Sequence, residues 1–162
     1  MGSPRNIPFG RPLLGLEEKS AVADVLAGTM LVHGDRTKSF EHAFSQYVGG
    51  GRALAVNSCT AALNLALLAR GVGPGDEVIV PAQTHVATAH SVEHCQAMPV
   101  FVDAEIDTGN IDISQIEPKV GERTKAISVV HYLGLPVNMD AVNAIASKYD
   151  LSVIEDAALA IG

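Results

Sequence analysis

The chain has 162 residues, 48% of them hydrophobic, enough for one domain with a sizeable core. Its formal net charge of −7, with no cluster of Lys or Arg, argues against nucleic acid or anionic membrane as partner, since both need a basic face. The N-terminus lacks the apolar core of a signal peptide and the longest uncharged run, 53–69, is too polar to cross a membrane. Two cysteines without paired spacing add a reducing compartment, so the reading is a cytoplasmic protein.

Residues 1–15, rich in Pro and Gly, read as an extended arm. Leu16–Leu26 places apolar residues between Glu17, Glu18, Lys19 and Asp24 and predicts a surface helix stopped by Gly28. A second helix begins at Asp35 or Thr37, with Phe40, Phe44, Tyr47 and Val48 on one stripe, and ends at Gly49–Gly51. The arm and two helices, 1–50, are expected to stand apart from an α/β unit, 51–162.

That unit opens on Ala53–Val56, a predicted buried strand, which breaks into Asn57-Ser58-Cys59-Thr60 before an apolar helix over 61–69. The loop 71–76, a strand at 77–80, a helix over 84–95 and a strand at 99–102 follow. A loop at 104–113, a short helix near 114–120 and a strand at 126–130 come next. Asn138 caps a helix with Met139, Val142, Ile145, Ala146 and Tyr149 on one face, and the strand 152–154 ends in Glu155-Asp156. The chain stops at Gly162, with nothing to cover its last strand, and so reads as the front part of a longer protein.

Strands alternating with helices of roughly ten residues predict an α/β fold, a mainly parallel sheet with helices on both faces. Such sheets bind ligands beyond the carboxyl ends of their strands. The residues to weigh are therefore Asn57–Thr60, Gln83–His85, Asp103, His131–Tyr132 and Asp156. Ser58 and Thr60, between a strand and a helix N-terminus, suit an anion, because free amides and the helix dipole favour negative charge. Taken alone, they suit a plain N-cap better, since small hydroxyl residues cap most helices. His85 offers a flat ring for stacking, or is a hydrogen-bonded rim histidine. Asp156 sets a carboxylate at the end of an apolar strand, where it needs a cation or several hydrogen bonds, or else caps a further helix. A phosphate seat, a stacking ring and a carboxylate for a pyridinium nitrogen are together what pyridoxal phosphate requires.

The runs IPFGRPLLG, FEHAFSQYVG, AVNSCTAALNLAL, GVGPGDEVIVPAQTHVATA, PVFVDAEIDTGNID, RTKAISVVHYLGLPVNMDA and VIEDAALAIG, in this order, resemble the DegT/StrS-type sugar aminotransferases. The resemblance covers nearly all of the chain from Ile7 to Gly162. It implies the large-domain fold of fold-type I (aspartate aminotransferase-like) enzymes, pyridoxal 5′-phosphate as cofactor, and transfer of an amino group to a keto sugar carried by a nucleotide. It also implies glutamate as amino donor and a homodimer with a shared site. On this resemblance Ser58, Thr60 and the backbone after Ser58, at Cys59, bind the cofactor phosphate, His85 covers the ring and Asp156 pairs with the ring nitrogen.

Three departures stand out. Cys59 takes the place of a usual Gly in the phosphate turn, and its Cβ restricts the backbone there. Leu159 stands where Gln or His usually meets the cofactor's phenolic oxygen. The Schiff-base lysine of the family lies farther on than Gly162. The five lysines present, Lys19, Lys38, Lys119, Lys125 and Lys148, are expected on helix surfaces, loops or strand starts, so the chain alone is expected to be inactive. Two alternatives follow: a relative that uses the amine form of the cofactor as a sugar dehydratase, or a non-catalytic binding or regulatory module.

Other chemistries fit less well. His90, Glu93 and His94 spell H-x-x-E-H, a zinc pattern with no evident third ligand, so no metal is expected. The first turn lacks G-x-G-x-x-G, and no G-x-x-x-x-G-K-[ST] occurs, which argues against a dinucleotide fold and a P-loop.

Overall fold

Four apolar runs form one parallel sheet: β1 (Glu77–Pro81), β2 (Met98–Val102), β3 (Thr124–Val130) and β4 (Ser152–Asp156), in the order β2-β1-β3-β4. The computed structural model describes residues 10–32 and 34–161. Two compact units are resolved, one up to Ala55 and one from Val56 on, a division five residues later than the expected one at 50/51. Of the expected arm, residues 1–9 lie outside the described residues.

The first unit carries α1 (Leu16–Leu26) and α2 (Asp35–Tyr47). Glu18 reaches back to the Gly15 amide at the start of α1. In α2 the rings of Phe40 and Phe44 meet with centroids 6.0 Å apart, as the stripe requires.

The second unit holds α3 (Cys59–Ala69), α4 (Ala87–His94) and α5 (Met139–Tyr149) around the sheet. Side chains alternate along a strand, so the sheet has two apolar faces and each needs cover. Val78, Val80 and Ala126 pack on one side with Leu67 of α3 and Val92 of α4. Ile79, Ile127 and Val129 pack on the other with Val142 and Ala146 of α5. This is the α/β architecture with helices on both faces. Asn138 caps α5 as expected, its Oδ1 accepting the Ala141 amide at 3.3 Å. Asn138→Ala is expected to cost about 1 kcal/mol in denaturant unfolding, the usual worth of such a cap.

Three expectations are corrected. Ala53–Val56 does not form a strand: no strand pairs with it among the described residues, and Leu54 is 79% exposed. An apolar extended segment becomes a strand only through a ladder partner. Helix α4 starts at Ala87 rather than at 84, because the His85 ring turns back and its Nδ1 accepts the Ala87 amide at 3.1 Å. The short helix near 114–120 is two 3₁₀ turns, Ile113–Gln115 and Glu117–Lys119. Pro118, with no N–H to donate, favours that split.

Candidate active site

All-parallel ladders bring the carboxyl ends of the strands to one edge of the sheet. The register pairs Val130 with Asp156, so the last residues of β3 and β4 lie side by side. At that edge Thr84, His85, Tyr132, Leu133, Asp156 and Leu159 line a mainly apolar cavity of about 160 Å³, together with neighbouring residues. Larger hollows exist, one of about 430 Å³ beside Arg70, Asn143 and Asp150. That one opens where β4 begins, at Ser152, and a parallel sheet does not place chemistry at that edge.

Asp156 is the buried charge of the cavity, 9% exposed. Its Oδ1 accepts the Ala158 amide at 3.1 Å and the Cys59 thiol at 3.6 Å. No donor to Oδ2 is found among the described residues, and no fully buried side-chain oxygen or nitrogen lacks a partner there. Oδ2 therefore touches open space. A buried carboxylate with one oxygen satisfied and the other free to receive a donor fits a protonated ring nitrogen.

The residues weighed as an anion seat open α3. Ser58 is the N-cap of α3, its Oγ accepting the Ala61 amide at 3.1 Å and its carbonyl the Ala62 amide. Among the described residues the amides of Cys59 and Thr60 have no protein acceptor. Capping and anion binding are thus compatible: the Ser58 oxygen accepts from the helix while its hydroxyl hydrogen and two amides remain to donate. Ser58 and Thr60 do not line the cavity; the seat connects to it through the Cys59–Asp156 contact.

Two neighbouring segments close the site. Asn110, buried, accepts the Tyr132 amide on Oδ1 at 2.9 Å and donates through Nδ2 to the Leu135 carbonyl at 3.1 Å. Gly109 lies against the Tyr132 ring at φ +72°, where an added Cβ would come within 2.6 Å of that ring. Gly134 has φ +87°, and an added Cβ would meet the Leu159 carbonyl oxygen at 2.7 Å, so only glycine lets these turns touch. Leu133, next to Gly134, adopts φ +50°, a left-handed conformation that costs a residue with a Cβ about 1–2 kcal/mol.

His131 is 8% exposed and fully engaged. Its Nδ1 accepts the Val137 amide at 3.1 Å, which places the proton on Nε2, 3.2 Å from Glu155 Oε2. It holds the turn and has no lone pair left for a base. Asp103, weighed among the strand ends, accepts its neighbour's amide, that of Ala104, and does not line the cavity. Asn110, Leu133 and Ala158 carry no signal in the sequence, since they lie in short turns and loops where periodicity is silent. Among the described residues no group of three His, Cys, Asp or Glu is placed to hold a metal, and the rings of His90 and His94 stack at 6.3 Å. No described helix is long and apolar enough to cross a membrane.

Asp156 at the end of β4 thus stands beside the open N-terminus of α3 at one edge of a parallel α/β sheet, the fold shared with the fold-type I aminotransferases. The family profile "DegT/DnrJ/EryC1/StrS aminotransferase family" matches residues 12–162, and the chain belongs to that family. The spore coat polysaccharide biosynthesis protein SpsC of Bacillus subtilis (strain 168) is 46% identical over 155 residues, 96% of this chain and 40% of that protein. S. venezuelae DesV, solved in complex with a ketimine intermediate, superposes with a TM-score of 0.88 at 39% identity, covering 91% of this chain and 40% of that one. The sugar aminotransferase Spr1654 from Streptococcus pneumoniae, described as putative and solved in a PMP form, gives 0.84 at 38% identity, over 89% and 36%. The chain thus spans about 40% of the length of the relatives it matches.

Proposed function

We propose that the chain is the cofactor-binding part of a pyridoxal phosphate-dependent aminotransferase that aminates a keto sugar carried by a nucleotide. The observation that carries the reading is the half-satisfied Asp156 carboxylate, tied to an open anion seat and set beside His85 in one cavity. Family membership and the sugar-linked relatives support the substrate class. Pyridoxal phosphate, when bound, supplies an electron sink for the carbon that loses its proton.

The chain's residues would hold that group as follows. The Cys59 and Thr60 amides and the Ser58 and Thr60 hydroxyls donate to the phosphate, with the α3 dipole aligned to favour its charge. Asp156 keeps a proton on the ring nitrogen. His85, exposed at the cavity mouth, covers the ring face. Leu159 contributes an apolar wall and no hydrogen bond, so the phenolic oxygen finds no donor there. The apolar lining keeps water from the reacting centre.

Among the described residues no lysine lines the cavity. Lys19 and Lys38 lie on α1 and α2, Lys119 in a 3₁₀ turn, Lys125 near the start of β3, and Lys148 on α5 paired with Glu117; none lines the cavity. Borohydride treatment with pyridoxal phosphate is expected to leave all five unmodified at stoichiometric cofactor, as read by peptide mass spectrometry. A pyridoxyl group fixed specifically on one of them would contradict this. Family membership supports a homodimer for the whole protein and a cytoplasmic location. The whole protein is expected to use glutamate as donor. Its test is direct: full-length enzyme should form an amino sugar from a nucleotide-linked keto sugar and glutamate, and no amino sugar would sink the assignment.

A further inference from the structure

A cysteine at the first position of a helix is ordinarily a low-pKa thiolate, because free amides and the helix dipole stabilise the anion. Cys59 opens α3, yet its thiol is pushed up, first by partial burial and then by the charge and hydrogen bonding of Asp156. Both causes favour the S–H form over the thiolate. A thiolate there would repel Asp156 and compete with any anion on the neighbouring amides; a thiol can donate instead.

The geometry uses that donor. Cys59 Sγ lies 3.6 Å from Asp156 Oδ1, joining two segments 97 residues apart in sequence. The Ala158 amide reaches the same oxygen at 3.1 Å. Two donors on one oxygen fix the rotation of the carboxylate, and they leave Oδ2 for a donor from the cavity. Without the thiol, Ala158 alone would hold the group, through a hydrogen bond about which the carboxylate can still turn.

We propose that Cys59 is a positioning residue: its S–H, bonded to Asp156 Oδ1, orients the carboxylate for a ring N–H and couples that carboxylate to the anion seat at the start of α3. This deepens the function proposed above and rests on it. The seat and the ring-nitrogen partner then act as one piece, so a change at Cys59 is felt at both ends of the cofactor.

Two measurements test this. The first is alkylation of Cys59 by iodoacetamide from neutral to alkaline pH, read by mass spectrometry of the Cys59 peptide, in the wild-type chain and in Asp156→Asn. Removing the carboxylate is expected to move the midpoint of the rate profile to lower pH and to speed alkylation at neutral pH several-fold. Superimposable profiles would overturn the proposal. Buried Cys95 reports on the fold, since it labels only if the chain opens.

The second measurement is binding of pyridoxamine phosphate, which lacks the aldehyde and cannot label lysines. Cys59→Ala is expected to weaken it roughly threefold to tenfold, the worth of one hydrogen bond, while Cys59→Ser keeps a donor and most of the affinity. This arm decides the matter if Asp156→Asn proves to label Cys95. Equal affinity in wild type and Cys59→Ala sinks this inference and spares the cofactor assignment. No binding by the wild type removes both.

Discussion

Asp156→Asn is expected to weaken binding of pyridoxamine phosphate by roughly ten- to a hundredfold, the span of a hydrogen bond to a charged group. The replacement keeps shape and volume at a buried position and removes the charge. The Ala158 amide still finds an acceptor if the amide oxygen turns toward it, so the β4 end should keep its fold. What is lost is the anion facing the cavity. A ring nitrogen brought there would no longer hold its proton, and the bound ring would lack its one charged anchor. Fluorescence titration measures the affinity, and thermal melting in parallel verifies that the fold survives. An affinity within twofold of wild type would remove Asp156 from the site.

The second large effect concerns the sheet that carries this edge. Ile127 is fully buried in the middle of β3, packed with Ile79, Val129 and the Val142 face of α5. Ile127→Ala deletes three carbons where neither neighbouring strands nor helix can close the gap, and should cost about 2–5 kcal/mol in denaturant unfolding. The same change at exposed Leu54 should cost well under 1 kcal/mol, since a surface site leaves no cavity. Because β3 lies between β1 and β4, loosening it also separates the strand ends that carry His85 and Asp156. Loss of cofactor affinity is expected to accompany the loss of stability.

Much of this architecture can be read from residue order. Val78, Ile79 and Val80 are apolar without alternation, the mark of a strand covered on both faces, and α5 announces itself through Asn138 and its apolar spacing. The placement of His85 and Asp156 at one cavity follows from the rule for parallel sheets. Three things do not follow. Ala53–Val56 has the composition of a strand, but pairing depends on a partner that local pattern does not specify. The turn at 131–135 is held by Asn110 from a distant loop, and nothing in the spacing of Gly109-Asn110 signals that reach. The Cys59–Asp156 contact spans 97 residues. Cys59 draws notice only as a departure from the glycine of the resembling family, whereas its contact with Asp156 depends on β4 ending beside α3.

The central claim is that one cofactor bridges the start of α3 and the end of β4. A crystal structure of the chain soaked with pyridoxamine phosphate tests it most directly. The phosphate is expected on the Cys59 and Thr60 amides with Ser58, the ring nitrogen on Asp156, and the His85 ring over the pyridine face. Pyridoxamine phosphate seated elsewhere, or seated here with its ring nitrogen turned away from Asp156, would contradict it.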